Sequence, residues 1–315
     1  MTGNGAERVD QLVGSIEEII FGKREVVKLC VTGLIARGHM LIEDVPGIGK
    51  TTLAQGLARS IDCTFTRIQF TSDMLPSDIL GVSVLSPRTS EFEFRKGPIF
   101  ANVVLADEIN RTPPKTQSAL VEAMGENQVS ADGVTHALPR PFVVLATQNP
   151  IEFEGTYTLP ESQLDRFMLR IEMGYPPADD ELHIMRRRDP KTALEKLDPV
   201  LTGADVVELQ DLAATVHVDD SVAKYMLAIV EETRKDEHVQ LGASPRASVA
   251  FYEACQARAL VEGRDYATPD DVKQMCAPVL AHRLLVKSRA GTPIAAAKAR
   301  RACVEEILKR VPVPV

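Results

Sequence analysis

The chain contains no tryptophan, and aromatic residues make up only 5% of its 315 residues. Its core therefore has to be built from the aliphatic residues that supply most of its 44% hydrophobic content. No apolar run reaches the length of a membrane span, and the N-terminus lacks the basic-then-apolar layout of a secretion signal. These absences predict a globular protein of one or two domains with no membrane partner.

Cysteine is scattered along the chain, and positive charge is not in excess. The cysteines are odd in number, and no pair has the spacing of metal ligands, so we expect reduced thiols in a cytoplasmic protein. The net charge of −8 disfavours a protein that coats nucleic acid with its whole surface, although it leaves room for a local basic pore. The five cysteines are Cys30, Cys63, Cys255, Cys276 and Cys303.

The hydrophobic pattern divides the chain into two parts. From 38 to 173, apolar strands alternate with helical patterns, which is typical of an α/β fold with a parallel sheet, and two helices precede this part. From Pro176 onward the pattern predicts helices and no strands, so we predict an α/β domain over 1–175 and an α-helical domain over 176–315. The predicted strands are 40–43, 64–70, 102–106, 142–147 and 167–173. The predicted later helices are 178–188, 203–216, 219–235, 245–262, 269–284 and 294–310.

A glycine-rich segment follows the first predicted strand and precedes a predicted helix over 53–60. A strand, a glycine-rich loop, a Lys-Thr pair and a helix form the arrangement that binds nucleoside triphosphates. The glycines let backbone N–H groups turn toward an anion, Lys50 adds a charge for the β- and γ-phosphates, and Thr51 offers a hydroxyl to Mg²⁺. The predicted nucleotide-binding residues here are Pro46, Gly47, Ile48, Gly49, Lys50, Thr51 and Thr52.

The loop departs from the strict motif at its first position, where Asp44 stands in place of glycine. This residue either places a carboxylate near the triphosphate or changes how the first turn of the loop is used. The alternative interpretation is a glycine-rich turn that only links a strand to a helix. The strand before the loop and the helix after it favour phosphate binding.

Two later strands end in polar residues. Asp107 and Glu108 follow an apolar strand, and beside a phosphate loop the first acid would serve Mg²⁺ and the second would act as general base. Asn149 ends another apolar strand, where an amide can hold water or sense the γ-phosphate, and it is a better candidate than Gln148 or Thr147. The alternative in both cases is an ordinary surface turn.

These motifs, together with two segments that contain arginine, occur in the order of an AAA+ ATPase. Their amino-acid sequences resemble those of the MoxR branch. The resemblance covers nearly the whole chain. The matching segments are 41–47 (LIEDVPG), 107–111 (DEINR), 146–150 (ATQNP), 154–157 (EGTY), 159–167 (LPESQLDRF) and 242–246 (GASPR).

The resemblance implies the AAA+ fold, with a five-stranded parallel sheet and a small all-α lid, and roles for single residues. Asp107 and Glu108 resemble the Walker B pair, and Asn149 resembles sensor 1. Arg166 resembles the arginine finger that reaches a neighbouring subunit's nucleotide. Arg246 resembles sensor 2, a nucleotide-binding residue that folds the helical lid onto the γ-phosphate. The segment Ile20, Phe21 and Gly22 falls where such proteins hold the adenine. Asp44 resembles an accepted variant of the MoxR loop.

The resemblance also identifies two inserted segments. The first, 71–98, corresponds to the insertion in helix 2 of this clade. The second, 127–141, resembles the hairpin before sensor 1, and Asp132-Gly133 between two extended runs is an independent hairpin signal.

Two assignments stay open. Arg170 is a rival finger, and Arg166 could instead pair with Asp165 or Glu161 at the surface. Glu152 and Glu154 lie on a loop that could face a partner or a pore.

As a whole, the sequence predicts a Mg²⁺-dependent ATPase that forms a ring, by resemblance a hexamer, and remodels or matures protein complexes. The resemblance implies ATP and Mg²⁺ as cofactors and a client that often carries a von Willebrand factor A domain. The alternatives are a nucleic-acid motor, which the acidic charge disfavours, and a nucleotide-dependent scaffold that does not hydrolyse ATP.

Overall fold

The five strands of the predicted α/β part form one sheet in a computed structural model of the chain. The structure describes residues 2–45, 47–88, 90–149, 155–186, 190–287 and 292–314. Within these ranges the strands are β1 (Met40–Glu43), β2 (Phe65–Gln69), β3 (Gly81–Leu85), β4 (Phe92–Lys96), β5 (Val103–Asp107), β6 (Gln128–Ala131), β7 (Val134–Ala137), β8 (Val143–Gln148), β9 (Leu169–Ile171), β10 (Val239–Leu241) and β11 (Leu285–Val286).

The helices surround this sheet and make up most of the C-terminal half. They are α1 (Thr2–Glu17), α2 (Arg24–Ile35), α3 (Lys50–Ser60), α4 (Pro76–Leu80), α5 (Pro114–Glu126), α6 (Glu161–Leu164), α7 (Ala178–Arg186), α8 (Pro190–Glu195), α9 (Gly203–Ala214), α10 (Asp220–Lys235), α11 (Pro245–Val261), α12 (Pro269–Leu280) and α13 (Pro293–Arg310). Short 3₁₀ turns cover Ile109–Arg111 and Ala281–Arg283.

The sheet has the strand order β2-β5-β8-β1-β9, and all of its strands are parallel. The three central strands are buried on both faces, which explains why they read as nearly continuous apolar runs. Because the carboxyl ends of parallel strands lie at one edge, the loops that follow β1, β5 and β8 come together there. The predicted parallel five-stranded sheet is confirmed, with strand ends shifted by one or two residues.

Two antiparallel hairpins project from the α/β part. The predicted hairpin in 127–141 is β6–β7, and its two-residue turn has positive φ at both Asp132 (51°) and Gly133 (76°), as a tight hairpin of this kind requires. The segment 71–98 contains α4 and a second hairpin, β3–β4, which the sequence pattern did not reveal.

Several helices of the C-terminal half begin where capping residues predict. Thr202, Ser244, Thr268 and Thr292 each accept a backbone N–H from the first turn of the helix that follows. The expectation that strands are absent after Pro176 was wrong, because β10 and β11 pair there. Their three and two residues are too few to produce a readable alternation. Among the described residues, no helix is long and apolar enough to cross a membrane.

The buried side chains form two clusters, one on each face of the sheet. Leu41 and Val144 belong to one cluster with the apolar face of α5, whereas Met40 and Val143 belong to the other. This second cluster also includes α1, α2, α3 and the helices of the C-terminal half, for example Phe251. The N-terminal and C-terminal helices therefore share one core, and the division at 175/176 stays a prediction.

A buried histidine joins three elements at the amino end of the sheet. His39 Nδ1 accepts the backbone N–H of Val144 at 3.0 Å, so Nε2 carries the proton and donates to the carbonyl oxygen of Met124 at 3.0 Å. Burial lowers the pKa of His39 to about 4. The neutral imidazole thus acts as a fixed connector between α5 and β8.

We predict that acid destabilises the fold through His39. Because the pKa of His39 is about 4 in the folded protein and 6.5 for an unperturbed histidine, its stabilisation is complete above pH 6.5 and is lost as the pH falls toward 4. The free energy of unfolding should fall by up to about 1.4 kcal/mol per pH unit from this group. The free energy of unfolding, measured by urea denaturation between pH 7 and 4.5, should fall less steeply with decreasing pH in His39→Gln than in the exposed control His217→Gln. An equal pH dependence of the two variants would contradict the role of His39 in acid destabilisation.

Candidate functional site

The glycine-rich loop joins β1 to α3, as its pattern predicts. Gly47 and Gly49 have φ of 84° and 94°, in the left-handed region that favours glycine, and Gly49 is the residue that precedes the helix. The helix begins at Lys50 rather than at 53, so Thr51 and Thr52 lie in its first turn. Half-buried Ile48 completes the described part of the loop, and Pro46 lies outside the described residues. A helix N-terminus of this kind binds anions.

Asp44 shapes the first turn of the loop. Its Oδ1 accepts the N–H of Val45 at 2.8 Å, and its Oδ2 accepts the N–H of Gly174, which follows β9. The carbonyl oxygen of Asp44 accepts the Nζ of Lys50 at 2.8 Å. Both carboxylate oxygens of Asp44 thus bind backbone N–H groups, which is a different use of the first turn, and the same carboxylate also acts on Lys50.

Lys50 lies close to the predicted acidic pair. Burial lowers the pKa of its ammonium, and the carboxylates of Asp107, Asp44 and Glu108 oppose that shift. The lysine is thus partly desolvated, and nearby carboxylates favour its charged form. The structure therefore brings together Lys50, Asp107 and Glu108, which lie far apart in the sequence.

The acidic pair is held by a threonine of the neighbouring strand. The hydroxyl of Thr147 donates to Asp107 Oδ1 at 2.5 Å and accepts the backbone N–H of Glu108 at 2.9 Å. Thr147 is fully buried, and Glu108 has a left-handed backbone with φ of 58°. One hydroxyl thus fixes the carboxylate of Asp107 and the sharp turn that presents Glu108. The sequence favours Asn149 over Thr147, because the contacts of Thr147 follow only from the register of β5 and β8.

Three further polar residues surround the same carboxylates. Arg67 Nη2 lies 2.6 Å from Asp107 Oδ2, Gln69 Nε2 donates to Glu108 Oε2 at 3.0 Å, and Arg111 Nε lies 3.2 Å from the same oxygen. Arg67 and Gln69 belong to the edge strand β2, and no local motif marks them. Sequence reasoning missed these residues because their contacts depend on the pairing of β2 with β5.

Asn149 follows β8 directly and is 93% buried, since its relative exposure is 7%. Because β8 lies between β5 and β1, this position is between Asp107 and the phosphate loop. Glu152 and Glu154 lie outside the described residues, as does Pro150.

The predicted adenine segment borders the phosphate loop. A Cβ atom on Gly49 would lie 3.9 Å from Ile20 Cδ1, and the ring of Phe21 stacks on His183 of α7 with centroids 6.4 Å apart. Gly22 has φ of 64°, and a Cβ there would meet the carboxylate of Asp180 at 2.1 Å. The segment therefore lies between the phosphate loop and α7, and α7 begins directly after Pro176-Pro177.

The two predicted arginines lie away from this group. Arg166 Nη1 donates to the carbonyl oxygen of Val121 on α5 at 3.2 Å. Its neighbour Asp165 pairs with Arg283, Nε to Oδ1 at 2.9 Å, and also accepts the hydroxyl of Ser244 at 2.9 Å. Asp165 is therefore bound to the C-terminal helices. The segment ends where Met168 N–H bonds to His39, at the amino end of β1 and β9.

Arg246 is exposed in the first turn of α11, two residues after Ser244. It thus shares the amino end of the sheet with Arg166, whereas the phosphate loop lies at the carboxyl end. The four residues of β1 separate the two ends by about 13 Å. The predicted site residues thus form two groups. One contains Lys50, Asp107 and Asn149, and the other contains Arg166 and Arg246.

The rival finger Arg170 is committed to pairs within the protomer. Its side chain is only 7% exposed, and Nη2 lies 2.8 Å from Glu43 and 3.0 Å from Glu172. An arginine buried in the sheet cannot extend to a neighbouring subunit without breaking these pairs. This geometry favours Arg166 over Arg170 as the finger.

The acidic residues fit magnesium better than a metal ion that is coordinated by protein side chains alone. The described ranges contain no group of three or more His, Cys, Asp or Glu side chains that could hold a metal ion. Magnesium is usually held by one or two protein oxygens together with nucleotide phosphates and water. Asp107 and the hydroxyl of Thr51 supply that donor chemistry.

Comparisons with known proteins agree with this geometry. Residues 39–169 match the model of the ATPase family associated with various cellular activities (AAA), and residues 231–311 match an AAA lid domain. YeaC of Bacillus subtilis is 48% identical, covering 96% of this chain and 94% of its own length. Chaperone MoxR1 of Mycobacterium tuberculosis is 42% identical, covering 88% and 76% respectively. The crystal structure of a candidate ATPase from Cytophaga hutchinsonii superimposes with a TM-score of 0.89 at 35% identity, covering 100% of this chain and 97% of that one.

We predict that Thr147→Val loosens the acidic pair. The substitution keeps the side-chain shape but removes hydrogen bonds to Asp107 and to the N–H of Glu108. Because bonds to charged groups contribute about 1.5–3 kcal/mol, the free energy of unfolding should fall by that amount in urea denaturation. Thr135→Val, at an exposed position of β7, is the matched control and should change it by less than about 0.5 kcal/mol. Equal stability of both variants would show that the hydroxyl does not anchor the pair.

Proposed function

The chain belongs to the MoxR family of AAA+ ATPases, and we propose that it is a Mg²⁺-dependent ATPase that works as a hexameric ring and remodels or matures protein complexes. The observation that carries this proposal is the meeting of the phosphate loop, Asp107, Glu108 and Asn149 at the carboxyl ends of three adjacent strands. We further propose that the protein acts in the cytoplasm.

Each residue has a proposed task in attack of water on the γ-phosphate of ATP. Lys50 and the N–H groups at the start of α3 bind the phosphates, and Glu108 accepts a proton from the attacking water. Asn149 orients that water or contacts the γ-phosphate. Bound Mg²⁺ would neutralise phosphate charge and would be held by Thr51 and Asp107. Phe21 and Gly22 border the proposed adenine site.

The positions of Arg166 and Arg246 support a ring. Both lie at the end of the sheet opposite to the protomer's own phosphate loop, so they are better placed to meet the nucleotide of a second copy than their own. An arginine finger that acts in trans raises the turnover rate by a factor of about 10³–10⁵. We therefore propose that the active site forms only where two copies meet.

The output of this cycle is proposed from the family. The relative MoxR1 is named a chaperone, and a chaperone-like action on a protein client is the corresponding proposal for this chain. A client with a von Willebrand factor A domain is the more specific form of this proposal. The net charge of −8 disfavours a nucleic-acid motor, and ATPase stimulation by DNA that weakens with salt would reverse that choice.

We predict that Glu108→Gln separates binding from hydrolysis. The glutamine keeps the size of the side chain but cannot accept a proton, so nucleotide binding should persist while turnover falls roughly 10²–10⁴-fold. Lys50→Ala should instead lose binding. Calorimetry with Mg²⁺ and a non-hydrolysable ATP analogue, together with phosphate release at concentrations that allow assembly, measures both effects. Exposed Glu122→Gln on α5 is the control. Full turnover in Glu108→Gln would overturn its role as base, and negligible turnover in the wild type would support a scaffold.

We predict that two inactive variants restore activity when mixed. Arg166→Ala should bind nucleotide but lose most turnover, whereas Lys50→Ala keeps its finger without binding nucleotide. Where an Arg166→Ala protomer receives the finger of a Lys50→Ala protomer, a complete site forms. Phosphate release from the mixture should exceed that of either variant alone. Absence of recovery in rings shown to contain both variants would exclude a finger that acts in trans.

A further inference from the structure

Arg67, on the edge strand β2, forms hydrogen bonds with both Asp107 and Gln69. Its Nε and Nη2 lie 3.1 and 2.6 Å from the same oxygen, Asp107 Oδ2. The other oxygen of Asp107 accepts the hydroxyl of Thr147. Each oxygen of the predicted metal-binding carboxylate is therefore already bonded to a donor of the protein.

The same guanidinium extends the contact to the second acid. Arg67 Nη2 also donates to Gln69 Oε1 at 2.9 Å, and Gln69 Nε2 donates to Glu108 Oε2 at 3.0 Å. A continuous chain of hydrogen bonds thus runs from Asp107 through Arg67 and Gln69 to Glu108. It connects the proposed metal ligand with the proposed general base along the edge of the sheet.

We propose that Arg67 is a positioning residue of the ATPase site. Its guanidinium neutralises Asp107 in place of magnesium, and it releases this carboxylate when magnesium and nucleotide bind. The proposal rests on the proposed role of Asp107. A guanidinium and a divalent cation at one carboxylate oxygen repel each other, so the two contacts compete. Release of Arg67 from Asp107 would also loosen its hold on Gln69, which is the route by which loading reaches Glu108.

A purely structural role explains these contacts less well. The side chain of Arg67 is 48% exposed, and half-exposed ion pairs contribute little to stability. The pairing of β2 with β5 is already fixed by backbone bonds over five residue pairs, from Phe65 with Val103 to Gln69 with Asp107. Replacement of Arg67 should therefore leave the fold intact and act on the charge of the site.

The proposal predicts a change in magnesium dependence. Without Arg67, Asp107 is fully available to magnesium, and in the absence of magnesium its uncompensated charge repels the triphosphate. Calorimetry with adenylyl imidodiphosphate, in Mg²⁺ and in EDTA, gives two dissociation constants for each protein. The ratio of the EDTA value to the Mg²⁺ value should rise roughly two- to fivefold in Arg67→Ala, the scale of a half-exposed charge pair. Arg67→Lys, which keeps the charge but not the forked contact, should give an intermediate ratio.

Controls separate the possible failures. Arg95→Ala, at an exposed position of β4, removes a charge away from the site and should leave the ratio unchanged. Melting temperatures without nucleotide should agree among all variants. If Arg67→Ala weakens both affinities equally, or leaves the ratio unchanged, the proposal is wrong while the proposed function stands. If the wild type itself binds no analogue with Mg²⁺, the proposed function fails first.

Discussion

The candidate site depends on the parallel register that keeps β1, β8 and β5 level. Leu145 pairs with both Met40 and Leu105, so the loops that follow these strands end at the same height. Asp107 and Thr147, two residues further along their strands, therefore face each other on one side of the sheet. A slip of one residue would turn Thr147 to the opposite face and would leave Asp107 Oδ1 without the hydroxyl that donates to it. Backbone pairing thus determines the chemistry of the acidic pair.

This dependence explains which parts of the protein the sequence could predict. Motifs held within one short segment, such as the phosphate loop and the Asp132-Gly133 turn, were found because local backbone requirements determine their residues. Arg67 was missed, since its role arises from a neighbouring strand 40 positions away along the chain. The β3–β4 hairpin and the β10–β11 pair were missed because their short strands, with mixed burial, carry no clear alternation.

The shared core limits how the C-terminal helices can move. Arg258 of α11 is almost fully buried and pairs with Glu25 of α2, at 2.9 Å, and with Glu262, at 2.7 Å. Lys28 also pairs with Glu262, at 3.0 Å. Separation of α2 from α11 would remove Glu25 from the buried guanidinium of Arg258 and Lys28 from Glu262, and the loss of partners from a buried charge is unfavourable. A motion about Pro176-Pro177 would therefore carry α1 and α2, and with them the segment beside the adenine site, together with the lid.

Asp165 connects the C-terminal helices to both predicted arginines. It precedes Arg166 in the chain and is bonded to Arg283 and Ser244, and Ser244 begins the helix that carries Arg246. Through this carboxylate the two arginines belong to one rigid corner of the protomer. In the proposed ring, a displacement of the C-terminal helices would then move both cations relative to the next copy. Because Phe21 and Gly22 lie beside the same helices, the ring that we propose would link nucleotide binding in one protomer to the positions of Arg166 and Arg246 at its neighbour.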